Sequence, residues 1–312
     1  MTRLLYGKEI AEKRIPNLRE RAAVLRGAGV VPCLAAFRVG DRGDDLAYGR
    51  MIARLAETVG VDMRLMVMPP ETERTRLIER IAALNDDPSV HGVLIFRPLP
   101  EHADESAVCA ALDPRKDVDG VTPASMAALY AGAHKSACAY HNKGENRGEP
   151  SGVPIRLKEG FAPCTAEAVV AVLDHFGIET EGKRAVIIGR SAVIGKPVSL
   201  LLLSRNATVT ICHRKTGDLP RLASSSDILV VAAGLAARGR DFGVGEQYFN
   251  LGQTVVDVGI HADASGKLYG DVNAGAAMGS VANLTPVPGG VGTVTTLVLL
   301  EHTLQAAEDA AR

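Results

Sequence analysis

Residues 183–197 read KRAVIIGRSAVIGKP, and the fold turns on what this stretch becomes. Ala185 to Ile188 is a short, apolar, β-branched run bounded by charge, which predicts a buried strand of a parallel sheet. Gly189 ends that strand and Gly195 follows six residues later, after which the leucine-rich Val198 to Leu203 predicts a helix. A strand, a glycine turn and a helix N-terminus together form an anion site. Unpaired helix N–H groups and the macrodipole favour phosphate there, and glycine lets backbone approach it. The glycine spacing alone also fits an ordinary strand-to-helix turn, so both readings stay open at this point.

The next segment discriminates between them. Asn206 to Ile211 (NATVTI) predicts a second strand, which leads into Cys212-His213-Arg214-Lys215-Thr216. In a doubly wound fold this strand ends where an adenosine ribose lies. An acidic residue there would accept from a free 2′-hydroxyl; this chain offers Arg214 and Lys215 instead, with Arg190 on the first turn. Each charge-assisted hydrogen bond to a 2′-phosphate contributes about 1.5–3 kcal/mol, so these residues favour NADP over NAD. The competing reading is a solvated basic turn.

Composition bounds the rest. A chain of 312 residues suits two domains of ordinary size, and 46% hydrophobic with 23% charged residues is normal for a globular core. The net charge of −1 gives no attraction to nucleic acid or to an anionic membrane surface. Trp is absent and aromatics reach only 4%, which disfavours base-stacking platforms. No apolar run is long enough to span a bilayer, and the opening MTRLLYGKEI lacks a signal peptide's hydrophobic core. Cys33, Cys109, Cys138, Cys164 and Cys212 form neither a disulfide framework nor a zinc pattern. The expectation is a cytoplasmic protein.

Outside the glycine turn, the pattern alternates. Helices are expected over 8–27, 46–59, 73–85, 104–112 and 164–176, and strands over 32–39, 61–68 and 90–96. Further strands are expected at Asp227 to Ala232 and Thr254 to Val258, and Pro286 to Thr296 reads as a glycine-rich turn before a final helix. This order predicts an α/β protein with parallel sheets. Residues 131–160 are polar and rich in glycine and proline, and read as a surface loop or insertion. His134, Cys138 and His141 lie close together there, but a fourth ligand is missing, so no metal is expected.

Five stretches now stand in order: KDVDG at 116–120, APCT at 162–165, GRSAVIGKP at 189–197, NATVTICHRKT at 206–216 and TPVPGGVG at 285–292. Jointly they resemble the methylenetetrahydrofolate dehydrogenase/methenyltetrahydrofolate cyclohydrolase family, over nearly the whole chain except the insertion. The resemblance implies a Rossmann-type NADP domain over 161–287 and a parallel-sheet folate domain from 1–130 plus 288–312, with 131–160 as insertion or linker. It further implies a cleft between them holding folate, and a homodimer. Gly189, Arg190, Ser191, Gly195, Arg214 and Ile260 would bind the cofactor. Tyr48 would stack on the pterin, Asp119 would grip its amino-pyrimidine edge, and Pro288, Gly289 and Gly290 would close over the substrate.

The chemistry positions depart from the family. Its helix reads Ser-x-x-Tyr-x-x-x-Lys, an i, i+4 spacing that puts Tyr and Lys on one face. Here Asp45 replaces the serine, Tyr48 is kept, and Ile52 replaces the lysine. The glutamine that holds the lysine's amine is Phe96, followed by Arg97 in place of an apolar residue. Ala166 and Thr293-Val294 replace further family residues, and Arg50 and Arg54 point off the face of Ile52. Asp45 is either a helix cap or a polar group aimed at a changed substrate. Hydride transfer chiefly needs proximity and a cofactor. Hydrolysis needs activated water, which isoleucine cannot supply. The resemblance with these losses implies an NADP-dependent methylenetetrahydrofolate dehydrogenase whose cyclohydrolase step is weak or lost. A repurposed folate enzyme and a non-catalytic folate- or NADP-binding paralogue remain as alternatives.

Overall fold

The alternating apolar runs become two parallel sheets in the computed structural model, which describes residues 1–136, 155, 157, 159–234, 243–263 and 265–312. The chain divides into two units. One is Met1–Ala11, Ala133–Pro150 and Thr165–Thr295; the other is Glu12–Gly132, Ser151–Cys164 and Thr296–Arg312. The first eleven residues and the turn at 288–290 are grouped with the six-stranded sheet in the first of these compact units.

In chain order the first elements are β1 (Arg3–Leu4), α1 (Gly7–Gly27), β2 (Cys33–Val39), α2 (Gly43–Val59), β3 (Asp62–Met68), α3 (Arg74–Asp86) and β4 (Gly92–Ile95). Then come α4 (Glu105–Ala110) and α5 (Pro123–Ser136). Strands β3-β2-β4 form a parallel sheet with β2 in the middle, and every residue of β2 is buried. Leu77, Ile81 and Leu84 of α3 pack on it at helical spacing with Val93 and Ile95 of β4. Gly60 ends α2 in the left-handed conformation at φ 92°, its N–H donating to the Ala56 carbonyl. Within this unit α1 is tied to the last helix, α10 (Val291–Ala310), by Arg14–Glu301 at 3.1 Å and Arg21–Glu308 at 2.7 Å.

The remaining elements are α6 (Cys164–His175), β5 (Arg184–Ile188), α7 (Gly195–Ser204), β6 (Thr208–Cys212), α8 (Leu219–Ser224), β7 (Ile228–Val231) and β8 (Thr254–Asp257). After them come β9 (His261–Ala262), β10 (Leu268–Tyr269), α9 (Ala274–Ala277) and β11 (Asn283–Leu284), before α10. The sheet order is β1-β11-β8-β7-β5-β6, with parallel pairs throughout. Strand order reverses at β5, so the switch point lies between β5 and β7, beyond whose carboxyl ends ligands bind in such sheets.

Three expectations need correcting. Helix α2 starts at Gly43 rather than Leu46, because Asp44 and Asp45 complement the dipole of its first turn although they look like loop residues. Helix α5 runs to Ser136, so the first part of the expected loop at 131–160 is helical. Helix α10 starts at Val291, inside the stretch read as a turn. Of the rest of that stretch, residues 137–154, 156 and 158, with Cys138 and His141, lie outside the described residues.

Candidate functional site

The glycine turn is built by close backbone approach. Gly189 has φ 134°, and a Cβ there would strike the Ala232 carbonyl at the end of β7. A Cβ at Gly195 would strike the Gly189 carbonyl in turn. Both positions therefore demand glycine, and the cradle they leave open faces the first turn of α7. The Ser191 hydroxyl oxygen accepts from the N–H groups of Ile194 at 3.1 Å and Gly195 at 3.4 Å, which orders that turn. Strands β5 and β6 pair with Ile188 opposite Cys212, so Arg190 and Arg214 each follow a partnered residue by two positions. Both side chains are exposed, and neither has an ion-pair partner among the described residues. The cradle, the helix end and the two guanidinium groups fit a phosphorylated dinucleotide.

Ile260 follows β8 and is exposed, its Cδ1 lying 3.0 Å from where a Cβ on Gly292 would stand. Beside it sits a buried polar cluster that sequence reasoning missed. The Asp271 carboxylate takes the His261 ring at 2.9 Å and the N–H groups of Ala233 and Gly234 at 2.9 Å each. The Asp257 carboxylate accepts from the N–H groups of Gly259, Asp271 and Val272. These two carboxylates fix the backbone at the carboxyl edge of the sheet. In the same unit the Gly289 carbonyl accepts from Gly7 N–H at 2.8 Å, while Pro288 is exposed and Gly290 buried.

The other unit gathers Tyr48, Phe96, Arg97, Asp119 and Cys164. Asp117 anchors the loop: wholly buried, its carboxylate accepts from Val121 N–H, Thr122 N–H and the Ser125 hydroxyl at 2.9, 2.8 and 2.6 Å. Gly120 has φ 65°, and a Cβ there would overlap the backbone of Phe161, Ala162 and Pro163. The KDVDG and APCT stretches are thus packed on each other, and the Cys164 thiol donates to the Val118 carbonyl. His302 of α10 hydrogen-bonds the same carbonyl at 2.8 Å and stacks on Phe161. Sequence reasoning missed Asp117 and His302; the Thr122-Pro123 cap-and-proline pair opening α5 was the available signal for the ordered loop.

Asp119 is held on this loop with a half-buried carboxylate. Burial pushes its acidity down, raising the pKa, while the Arg97 guanidinium 3.5 Å away opposes that shift. Tyr48 lies edge-on to Phe96, ring centroids 6.0 Å apart, and its hydroxyl shares a hydrogen bond with Thr296. Burial and the nearby Asp119 carboxylate raise its pKa, so it stays protonated. One turn along α2 from Tyr48, Ile52 is completely buried, and Phe96 is buried against Gly49 of the same helix. Their burial contributes about 1.5–3 kcal/mol each. Among the described residues of α2 no lysine is present.

Asp45 does not cap α2. The cap position is Arg42, without a side-chain bond, and Asp45 lies in the first turn, buried and 3.7 Å from the Arg42 guanidinium. Burial raises its pKa, and Arg42 and Arg38 counter that. No group of His, Cys, Asp and Glu suited to a metal occurs among the described residues.

Comparison with known proteins matches this geometry. Residues 5–119 match the tetrahydrofolate dehydrogenase/cyclohydrolase catalytic domain, and residues 163–311 match the NAD(P)-binding domain of the same family. The bifunctional protein FolD of Alkaliphilus oremlandii (strain OhILAs) is 40% identical over 306 residues, covering 98% of this chain and 97% of that protein. The bifunctional enzyme FolD of Campylobacter jejuni, a methylenetetrahydrofolate dehydrogenase/cyclohydrolase, superposes with TM-score 0.86 at 34% identity over 99% of both chains. The FolD of Trypanosoma brucei, complexed with NADP cofactor and inhibitor, gives TM-score 0.84 at 32% identity over 100% of this chain and 99% of that one. The chain therefore belongs to the tetrahydrofolate dehydrogenase/cyclohydrolase family.

Proposed function

We propose that this protein oxidises 5,10-methylenetetrahydrofolate to 5,10-methenyltetrahydrofolate with NADP, and that hydrolysis of the methenyl product is weak or absent. What supports the second half is that Ile52 and Phe96, which the resemblance sets at the family's lysine and glutamine, are both buried apolar side chains. Bound NADP would supply the hydride acceptor. The chain's own part is placement. Arg190 and Arg214 bind the 2′-phosphate, Gly189, Ser191 and Gly195 seat the pyrophosphate, and Ile260 lines the same site. Asp119 accepts hydrogen bonds from the amino-pyrimidine edge and Tyr48 stacks on the pterin; the Pro288-Gly289-Gly290 turn is a further substrate-binding candidate. Orientation of this kind is what the hydride step needs, whereas hydrolysis would need a positioned acid or base, worth about 10²–10⁴-fold in rate.

The test is to incubate the purified protein with 5,10-methylenetetrahydrofolate and NADP and to identify every product. NADPH equal to the sum of methenyl- and formyltetrahydrofolate, with the formyl product appearing at the spontaneous rate, is the expected result. Rapid enzymatic formation of 10-formyltetrahydrofolate would refute the loss of the second step. Absence of NADPH would refute the first. The protein is further proposed to act in the cytoplasm as a homodimer; no helix among the described residues is long and apolar enough to cross a membrane.

A further inference from the structure

Arg97, just after β4, sits between two acids. Its guanidinium lies 3.5 Å from Asp119 on the loop between α4 and α5 and 3.8 Å from Glu105 at the start of α4. The side chain is only 18% exposed. Its Nε is buried without a hydrogen-bond partner among the described residues, and the two carboxylates flank the guanidinium. Glu105 is itself fixed, its other oxygen accepting from Leu99 N–H at 2.8 Å. Glu105, Arg97 and Asp119 thus form a chain of charge running from α4 to the candidate folate pocket.

We propose that Arg97 is a positioning residue for folate, its guanidinium holding the Asp119 carboxylate in place to receive the amino-pyrimidine edge. This rests on the reading of Asp119 as the folate-gripping acid. The groups facing Asp119 are Arg97, Asp117 on its own loop, Cys164 at the start of α6, His302 of α10 and Tyr48 of α2. Burial acts first and favours the neutral acid, Asp117 adds to that, and Arg97 is the largest opposing influence. A protonated Asp119 would lose one acceptor oxygen to its own proton, and with it one of the two bonds it makes to the amino-pyrimidine donors. Removing Arg97 therefore raises the Asp119 pKa further, and folate affinity becomes dependent on pH. The sign is fixed: affinity falls as pH falls, because the neutral acid grips less well.

The experiment compares wild type, Arg97→Leu, Arg97→Lys and Arg97→Leu/Asp119→Asn. Tetrahydrofolate binding is measured by calorimetry under anaerobic conditions from pH 6 to pH 8, and melting temperature without ligand from pH 5 to pH 8. Wild-type affinity should change less than about twofold over that range, and Arg97→Leu should lose about tenfold more at pH 6 than at pH 8, one pKa unit being one factor of ten. Arg97→Lys should keep most of the wild-type profile. Without ligand, the melting loss from Arg97→Leu should be larger at pH 8 than at pH 5, since the buried carboxylate is then charged and unpaired. That slope should be largely gone in the Asp119→Asn background. Arg97→Leu with the wild-type pH profile in both measurements would overturn the proposal, as would a slope unchanged by Asp119→Asn. Failure of the wild type to bind tetrahydrofolate would instead refute the folate reading, while the ligand-free slopes still judge the Arg97–Asp119 coupling.

Discussion

An amine introduced at position 52 would meet a face of α2 already filled by buried hydrocarbon. Phe96 lies against that helix, and nothing there would fix the new rotamer. Desolvation would oppose its charge. Ile52→Lys alone should therefore leave methenyltetrahydrofolate hydrolysis near the spontaneous rate, read as loss of methenyl absorbance. Adding Phe96→Gln and Asp45→Ser restores a polar set, and the triple variant should exceed the single one because groups acting as a unit are non-additive. At the cofactor, Arg214→Ser should weaken NADP binding by about 1.5–3 kcal/mol and leave NAD almost untouched, as titration of both would show. Equal losses would remove the 2′-phosphate assignment. Asp119→Ala should weaken tetrahydrofolate binding by about 1–3 kcal/mol in calorimetry, since two ligand donors lose their acceptor. Unchanged affinity would mean that the pterin sits elsewhere.

Elements were legible where period and punctuation agreed. Strand β2, buried on both faces, has the continuous apolar run that parallel sheets impose, and Gly60 marks the end of α2 correctly. The two-residue strands β1 and β11 leave no periodic trace, so their place in the six-stranded sheet could not be read. The start of α2 was misread because glycine and aspartate serve equally in loops and in first turns. In the candidate site, the residues carrying family motifs were visible, but the Arg97–Asp119 contact depends on folding between separate segments, and the Asp117 contacts, though local, depend on side-chain direction. The glycine turn makes its own prediction. Gly189→Ala would force a left-handed backbone and a clash with the Ala232 carbonyl. It should lower the melting temperature and abolish measurable NADP affinity; a variant that melts and binds like wild type would contradict the cradle.

For the whole molecule, both sheets finish on an exposed edge. Strand β3 shows Leu65 and Val67, 51% and 48% exposed, and β6 shows Ile211 at 40%. Apolar edges of this kind are either covered by a partner or prone to pairing. The proposed homodimer should appear in light scattering as twice the 32.8 kDa chain mass at micromolar concentration, and a monomer throughout would refute it. The edge strand β1 has a different consequence. Arg3 pairs with Asn283 and Leu4 with Leu284, so β1 meets its neighbour only after some 280 further residues have been made. Closure across so long a loop is slow relative to local folding. The sheet around β5 is thus expected to assemble on its inner strands first, while its outer edge is completed last. A fragment cut to the contiguous nucleotide segment would carry that edge bare.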